Sequence, residues 1–139
     1  MGTTDLAKAQ NYAFPPVRVT WLKRDVLLFA NSIGVNAKDL HLLYELHPGF
    51  ASFPTYPLCL SFKETDQEVN DFLAKSQTNA MRNAIPGSPQ IDYRRMVDGE
   101  RYFEMLKPIP TSSQGRNFEL RGKSIGIWDK VVPFSMALM

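Results

Sequence analysis

Ring-bearing side chains crowd one stretch of this sequence. From Phe50 to Phe62 it reads Phe-Ala-Ser-Phe-Pro-Thr-Tyr-Pro-Leu-Cys-Leu-Ser-Phe, aromatic and Pro-rich without being of low complexity. Large rings carry much of the apolar area that a domain must bury, so the rest of the chain has to be arranged around this segment. Thr55 is placed to be an N-cap and Pro57 falls within the first turn, where a missing backbone donor costs little. A buried helix is therefore expected to start here. A packed core and the wall of a ligand tunnel have the same composition, and the rings alone leave both readings open.

A second helix is expected earlier. Leu22, Val26, Phe29, Ala30 and Ile33 recur at helical spacing with Lys23, Arg24 and Asn31 on the opposite face. Thr20 is a candidate N-cap, Gly34 supplies a left-handed stop, and Val35 can cover the last turn. An ordinary amphipathic helix packed on a sheet accounts for this pattern. Leu40 to Leu46 is a short apolar run that periodicity alone assigns to neither helix nor strand. His41 and His47 flank it with no carboxylate arranged around them, which favours surface or hydrogen-bonded roles over metal ligation. His47-Pro-Gly49 marks a turn.

Further along, Thr65-Asp-Gln-Glu68 reads as a capping box opening a helix with Val69, Phe72 and Leu73 on one face. Ser76 to Pro89 is polar, Pro- and Gly-marked, and expected to be a loop. The remainder is β-like. Ile91, Tyr93 and Val97 hint at alternation, and Arg101 to Lys107 is expected to form a strand closed by Pro108 and Pro110. A last strand is expected from Phe118 to Trp128. Its apolar phase passes from Phe118 and Leu120 to Ile125 and Ile127, with Gly122 placed to form a bulge.

At 139 residues with 44% hydrophobic and 22% charged side chains, the chain can bury one core. Its net charge of +2, from 16 basic and 14 acidic residues, comes with no basic block, so nucleic acid is not an expected partner. No stretch reaches the length of a membrane span, and the N-terminus has no apolar signal core. Neither the myristoylation pattern nor the Ser-Lys-Leu type of peroxisomal address is present. Cys59 stands alone between apolar neighbours and is expected to be a buried, inert thiol in a reducing compartment. Asp92, Asp98, Glu100 and Glu104 could pair as acids and bases, but solvated charge is the common case at strand and turn positions. Ser112 and Ser113 lie in a turn without a nucleophile motif. No residue is assigned a catalytic role and none a metal.

Three ordered segments together resemble one family. Trp21 to Leu40 followed by His41-Leu-Leu-Tyr-Glu45 is similar to the non-catalytic half of MaoC-like, double hot-dog enoyl-CoA hydratases. Phe50, Phe53, Pro54, Thr55 and Tyr56 match a family segment of the form F-x-x-F/L-P-T-F/Y, which in the family leads into the central helix and lines the acyl tunnel. Val97-Asp-Gly-Glu-Arg-Tyr-Phe-Glu-Met-Leu-Lys-Pro-Ile-Pro110 resembles H-G-E-Q-Y-x-E-x-x-K-P-L-P, with Asp98 in the His slot. The resemblance runs from about Thr20 to Lys130.

It implies an α+β hot-dog fold, an antiparallel sheet around a central helix, with residues 20–130 as the N-terminal hot-dog domain. Residues 1–19 are then an extended lead-in and 131–139 a tail without a family counterpart. The sheet is expected to be incomplete at the C-terminus, which would leave an unpaired edge and a marginally stable chain. The family's catalytic half carries a loop S-G-D-x-N-P-x-H whose Asp and His activate water. Here Gly34 is followed by Val35, and no His stands at the matching place.

The resemblance implies the acyl-chain-accommodating half of an enoyl-CoA hydratase, or (3R)-3-hydroxyacyl-CoA dehydratase, of fatty-acid β-oxidation, catalytically silent alone. Its substrate-binding residues would be Phe50, Phe53, Pro54, Thr55, Tyr56, Gly99 and Glu100. The ligand would be an acyl-CoA, with coenzyme A as part of the substrate and no separate cofactor. The partner would be a catalytic hot-dog half or a second copy, and the compartment by resemblance the peroxisome, otherwise the cytoplasm. One alternative is a non-enzymatic hot-dog assembly domain pairing with a catalytic partner. Another is a standalone hydratase using other residues.

Overall fold

The computed structural model describes residues 5–66, 85–88, 97 and 99–126. Their order of elements is α1 (Leu6–Ala9), β1 (Val17–Val19), α2 (Lys23–Ser32), α3 (Leu40–Leu43), a 3-10 turn (Tyr56–Cys59), α4 (Leu60–Lys63) and β2 (Phe118–Leu120). The chain forms two compact units. One comprises Met1–Pro16, Asp71–Phe103 and Arg121–Met139, the other Val17–Asn70 and Glu104–Leu120.

The second unit holds the aromatic core. β1 and β2 pair antiparallel, with Val17 opposite Leu120, Arg18 opposite Glu119 and Val19 opposite Phe118. Period-2 alternation sends Val19 inward and the Arg18 and Glu119 charges outward. Val19, Trp21, Val26, Tyr56 and Leu60 form the buried cluster, and Phe29, Phe50, Cys59, Ile109, Phe118 and Leu120 pack against it.

α2 occupies the expected span. Val26 and Ala30 are buried and Phe29 is half-buried, whereas Ile33 at the helix exit is 45% exposed. Its C-terminus closes as a Schellman motif: Val35 N–H donates to Ala30 O and Gly34 N–H to Asn31 O, both at 3.1 Å, with Gly34 at φ +77°. The N-terminus differs from expectation. Leu22 is the N-cap, and Asp25 Oδ2 accepts from its backbone N–H at 2.8 Å. Thr20 is engaged elsewhere, its hydroxyl donating to Asp66 Oδ1 at 2.9 Å and accepting from Asp66 N–H at 2.8 Å.

The run beginning at Leu40 is helical. At the ring-rich segment the helix begins where expected, with Pro57 in its first turn, but as a 3-10 turn leading into α4 and without a side-chain cap from Thr55. α4 ends on Glu64 at φ 59°, ψ −74°, and Thr65 N–H donates to Lys63 O at 2.9 Å across it. That is a γ-turn of the rare positive-φ kind, a strained conformation for a residue with a Cβ.

In the first unit, the stretch expected to be extended contains α1, capped by Asp5 Oδ1 accepting from Lys8 N–H at 3.3 Å. Asp5 N–H donates to Gly87 O at 2.8 Å. Ile85 to Ser88 is a turn with Pro86 at its second position, Gly87 at φ +81°, and a Ser88 N–H to Ile85 O bond of 3.0 Å. A Cβ on Gly87 would lie 2.3 Å from Asp5 O, so only glycine fits. Ala13 bridges to Lys123 in antiparallel sense.

Two β expectations are corrected. Arg101 to Lys107 forms no strand, and Tyr102 and Leu106 are 86% and 85% exposed. Alternation specifies a strand only where one face has something to pack on, and these apolar side chains face outward. Beyond β2 the phase does not switch at Gly122. Ser124 and Gly126 are buried while Ile125 is 51% exposed, so the inward parity of Phe118 and Leu120 continues. Ser124 is tolerated inside because its hydroxyl donates to Ala9 O and accepts from Tyr12 N–H at 3.1 Å. The helix expected after Thr65, most of the Ser76–Pro89 loop, the alternation at Ile91 and Tyr93, Asp98, Ile127 to Lys130 and the tail lie outside the described residues.

Candidate functional site

Tyr56 is the centre of the ring cluster. It is 1% exposed and meets Phe29 edge-on at 5.5 Å and Trp21 at 6.3 Å between ring centroids. Phe53 extends the set, 6.4 Å from Phe29, and Phe118 meets Trp21 at 4.7 Å. Edge-to-face and offset geometries of this kind add about 0.5–1.5 kcal/mol per pair beyond area burial.

The 3-10 turn positions Tyr56, and Trp21 is fixed by the chain around Ser113. Trp21 Nε1–H donates to Pro110 O at 3.0 Å, and Trp21 N–H to Ser113 Oγ at 2.9 Å. Ser113 returns both its hydroxyl, at 3.1 Å, and its backbone N–H, at 3.0 Å, to Trp21 O. Ser52 Oγ–H also reaches Pro110 O, at 3.2 Å. Ser113 is thus a buried polar strut whose hydroxyl and backbone N–H are both engaged by Trp21, while its carbonyl accepts from Arg116 N–H at 3.1 Å.

The phenol at the centre is not satisfied in this way. Tyr56 Oη is buried without a hydrogen-bond partner among the described residues. Burial, with lesser contributions from Cys59 and Asp25, pushes its ionisation far above the ordinary phenol range. Cys59, half-buried, hydrogen-bonds through Sγ to Tyr56 O at 2.9 Å, and burial pushes its thiol up. A thiol kept protonated is a weak nucleophile, and the full burial expected of Cys59 is only partial.

Beside the rings, Lys63 Nζ lies 3.0 Å from Asp25 Oδ2, with side chains only 17% and 13% exposed. It also donates to Thr65 O at 2.7 Å and Thr20 O at 3.3 Å. The ammonium thus meets one carboxylate and two carbonyls, which offsets its desolvation. Arg24 Nη2 reaches Asp66 O at 3.4 Å. The hydrogen bond from Thr20, then that from its own backbone, holds the Asp66 carboxyl below the usual range. This knot holds residues 63–66 against the entrance of α2.

An open depression of about 430 Å³ adjoins Phe53, lined by Ile33, Gly34, Val35, Asn36, Asp39, His41, Leu42 and Phe53. Asp39 and His41 share it, yet among the described residues no hydrogen bond or ion pair joins them, so they do not form an acid–base dyad here. The His41 and His47 rings stand 6.4 Å apart, and His47 Nδ1 accepts from Gly49 N–H at 3.0 Å. Among the described residues no group of three or more His, Cys, Asp or Glu could hold a metal, and no helix is long and apolar enough to cross a membrane.

Of the residues anticipated for substrate, Phe50 packs half-buried against the core, Phe53 and Tyr56 join the ring set, Thr55 is half-buried, and Pro54 is exposed in the turn before them. Gly99 and Glu100 are exposed and belong to the other compact unit. The sequence reading gives Trp21, Phe118 and Ser113 no place in the site. Trp21, directly before the helix and the first of two tryptophans, was the available signal; nothing local marks Ser113.

Comparison with known proteins gives a consistent result. The family described as "MFE-2 hydratase 2 N-terminal domain" matches residues 20–132. The chain is 52% identical over 120 residues to a "Probable dehydratase NIT22" of Ajellomyces capsulatus, covering 86% of this chain and 31% of that protein. It is 29% identical over 110 residues to a "Peroxisomal multifunctional enzyme type 2" of Drosophila melanogaster, covering 74% and 17%. Among solved structures it is similar to a MaoC-like dehydratase from Phytophthora capsici, with TM-score 0.66 and 30% identity, over 86% of this chain and 37% of the other. The chain thus spans under a third of the length of these two curated relatives. With that neighbour, the fold is the α+β hot-dog expected.

Proposed function

The chain belongs to the MFE-2 hydratase 2 N-terminal domain family, and from that premise we propose that it accommodates the acyl chain for an enoyl-CoA hydratase or (3R)-3-hydroxyacyl-CoA dehydratase. The observation that carries the reading is the ring set Phe53, Phe29, Tyr56 and Trp21 within the matched span. Aromatic faces take an alkyl chain through burial of apolar area, worth about 0.8 kcal/mol per methylene. Phe50, Phe53, Pro54, Thr55 and Tyr56, with Gly99 and Glu100, are the residues assigned to substrate.

The chain is silent alone, and a catalytic hot-dog half or a second copy is its partner. Silence is proposed because hydration of an enoyl thioester needs a proton donor and a base acting together, and the stretch after Gly34, where the family's catalytic half has Asp and His, reads Val-Asn-Ala-Lys. Acyl-CoA of fatty-acid β-oxidation is the ligand, and the peroxisome is the compartment suggested by the name of the Drosophila relative. Equilibrium dialysis of the full chain against acyl-CoA of increasing length, beside a hydration assay with a 2-enoyl-CoA, tests the proposal. Retention that grows with chain length and no turnover are expected; turnover by the pure chain would refute the silent role.

A second reading, a non-enzymatic assembly domain, draws on Leu28 and Leu46, 68% and 73% exposed. It expects association with a hot-dog partner that acyl-CoA does not alter.

A further inference from the structure

The ring set is shut. Trp21 and Tyr56 are each 1% exposed, so an alkyl chain comes between them only if an element that carries one of them moves. Trp21 is held through its indole and its backbone by Pro110 and Ser113, and Phe29 rides on the ten-residue helix α2. Tyr56 is carried differently. Along the 3-10 turn and α4, Tyr56 N–H donates to Phe53 O and Leu58 N–H to Thr55 O, both at 3.0 Å, and Ser61 Oγ–H to Leu58 O at 3.2 Å, all within three residues. Ties to distant chain stand at the two ends of this stretch. Before it, Ala51 N–H donates to His41 O at 2.9 Å and Ser52 Oγ–H to Pro110 O at 3.2 Å. After it, Lys63 meets Asp25 and Thr20 O, Thr20 N–H donates to Glu64 O at 2.8 Å, and Asp66 exchanges two bonds with the Thr20 hydroxyl.

Two uncompensated costs fall on the same stretch. Tyr56 Oη is buried without a partner among the described residues, and Glu64 is held at φ 59°, ψ −74°. Lifting the stretch from Trp21 and Phe29 returns the phenol to water, and parting the ties at residues 63–66 lets Glu64 go back to negative φ. Both costs favour release, while the ties and the burial of Tyr56 and Leu60 oppose it. We propose that residues 56–63 are a flap over the ring set, latched by Thr20, Asp25 and Asp66 and strained at Glu64, which opens ahead of the rest of the fold to admit the acyl chain. What enters rests on the acyl-binding reading given above; the motion does not. Elements that open short of global unfolding are those tied to the remainder by few bonds, and lids over binding sites are drawn from them.

The test is native-state amide hydrogen exchange of the full chain in low urea, read by NMR, followed by stopped-flow tryptophan fluorescence with a long-chain acyl-CoA. In the wild-type chain the amides of Leu58, Leu60 and Glu64 are expected to exchange about tenfold or more faster than interior amides of α2, with a shallower urea dependence. Thr20→Val, which removes both bonds to Asp66, should speed their exchange about fivefold. Glu64→Gly should slow it about fivefold relative to Glu64→Ala, which loses the same side chain but keeps the strained backbone. Acyl-CoA association rates should shift in the same directions. Exchange of the three amides only together with α2, at the same urea slope, overturns the flap. Association rates that ignore both changes while binding persists overturn its role as inlet and spare the acyl-binding reading. Exchange as expected with no binding of acyl-CoA overturns that reading, and the inlet role with it.

Discussion

Replacing Tyr56 by Phe is expected to stabilise the protein, because it deletes one oxygen from the centre of the core and nothing else. Tyr56 is 1% exposed and its Oη has no partner among the described residues. A buried polar group left unsatisfied costs about 1–3 kcal/mol. Deleting the hydroxyl recovers that cost and loses only the contacts of one small atom, so a net gain of about 1 kcal/mol is expected. The ring contacts to Phe29 and Trp21 survive the change. Urea denaturation read by tryptophan fluorescence measures it: with a slope of about 2 kcal/mol per molar, the midpoint should rise by about 0.5 M at constant slope. Tyr56→Ala is the contrast, with a loss of about 3–5 kcal/mol from the cavity it opens. A midpoint for Tyr56→Phe lower by a similar amount would refute the reasoning, since it would mean that the hydroxyl is hydrogen-bonded in the folded chain.

Glu64→Gly should raise stability by about 1 kcal/mol in the same assay, since relief of the positive-φ γ-turn outweighs the added freedom of the unfolded chain; a loss would show that the Glu64 side chain matters more than its backbone. Lys63→Met leaves the Asp25 carboxylate with one partner fewer in a nearly enclosed place and should cost about 2 kcal/mol, whereas Asp25→Asn combined with Lys63→Met should cost less than the two single changes added together. Additive losses would contradict a coupled pair. Asp66 supplies a pH dependence: its carboxyl is held low chiefly by Thr20, so its contribution is complete above the unfolded-state value and disappears as pH falls through the folded-state one. The stability gap between wild type and Thr20→Val should therefore narrow on acidification through that window, and a gap constant with pH would count against the Thr20–Asp66 linkage.

What the sequence made legible was local. α2 and its Gly34 stop follow from a 3.6-residue period and the one residue type that enters the left-handed region without strain, and both are decided within a dozen positions. The helical start at Tyr56 follows from Pro57 in the same way. Where distant chain intervened, local reading failed. Thr20 is drawn from helix capping by Asp66, 46 residues away, and Asp25 takes over through its bond to Leu22 N–H. Arg101 to Lys107 has the alternation of a strand but exposes Tyr102 and Leu106. Ser124 keeps the inward parity at an apparent phase switch because α1 and Tyr12 offer partners for its hydroxyl. For the site, the rings were legible as a set, but the strut at Ser113 was not, since it depends on a bond across 92 positions.

Trp21 reports on the central claim directly, because its indole lies in the ring cluster 6.3 Å from Tyr56. Titrating the full chain with a long-chain acyl-CoA while following tryptophan emission should give a saturable change whose midpoint falls to lower concentration as the acyl chain lengthens. Emission that stays flat through millimolar thioester, or a response indifferent to chain length, would contradict the account.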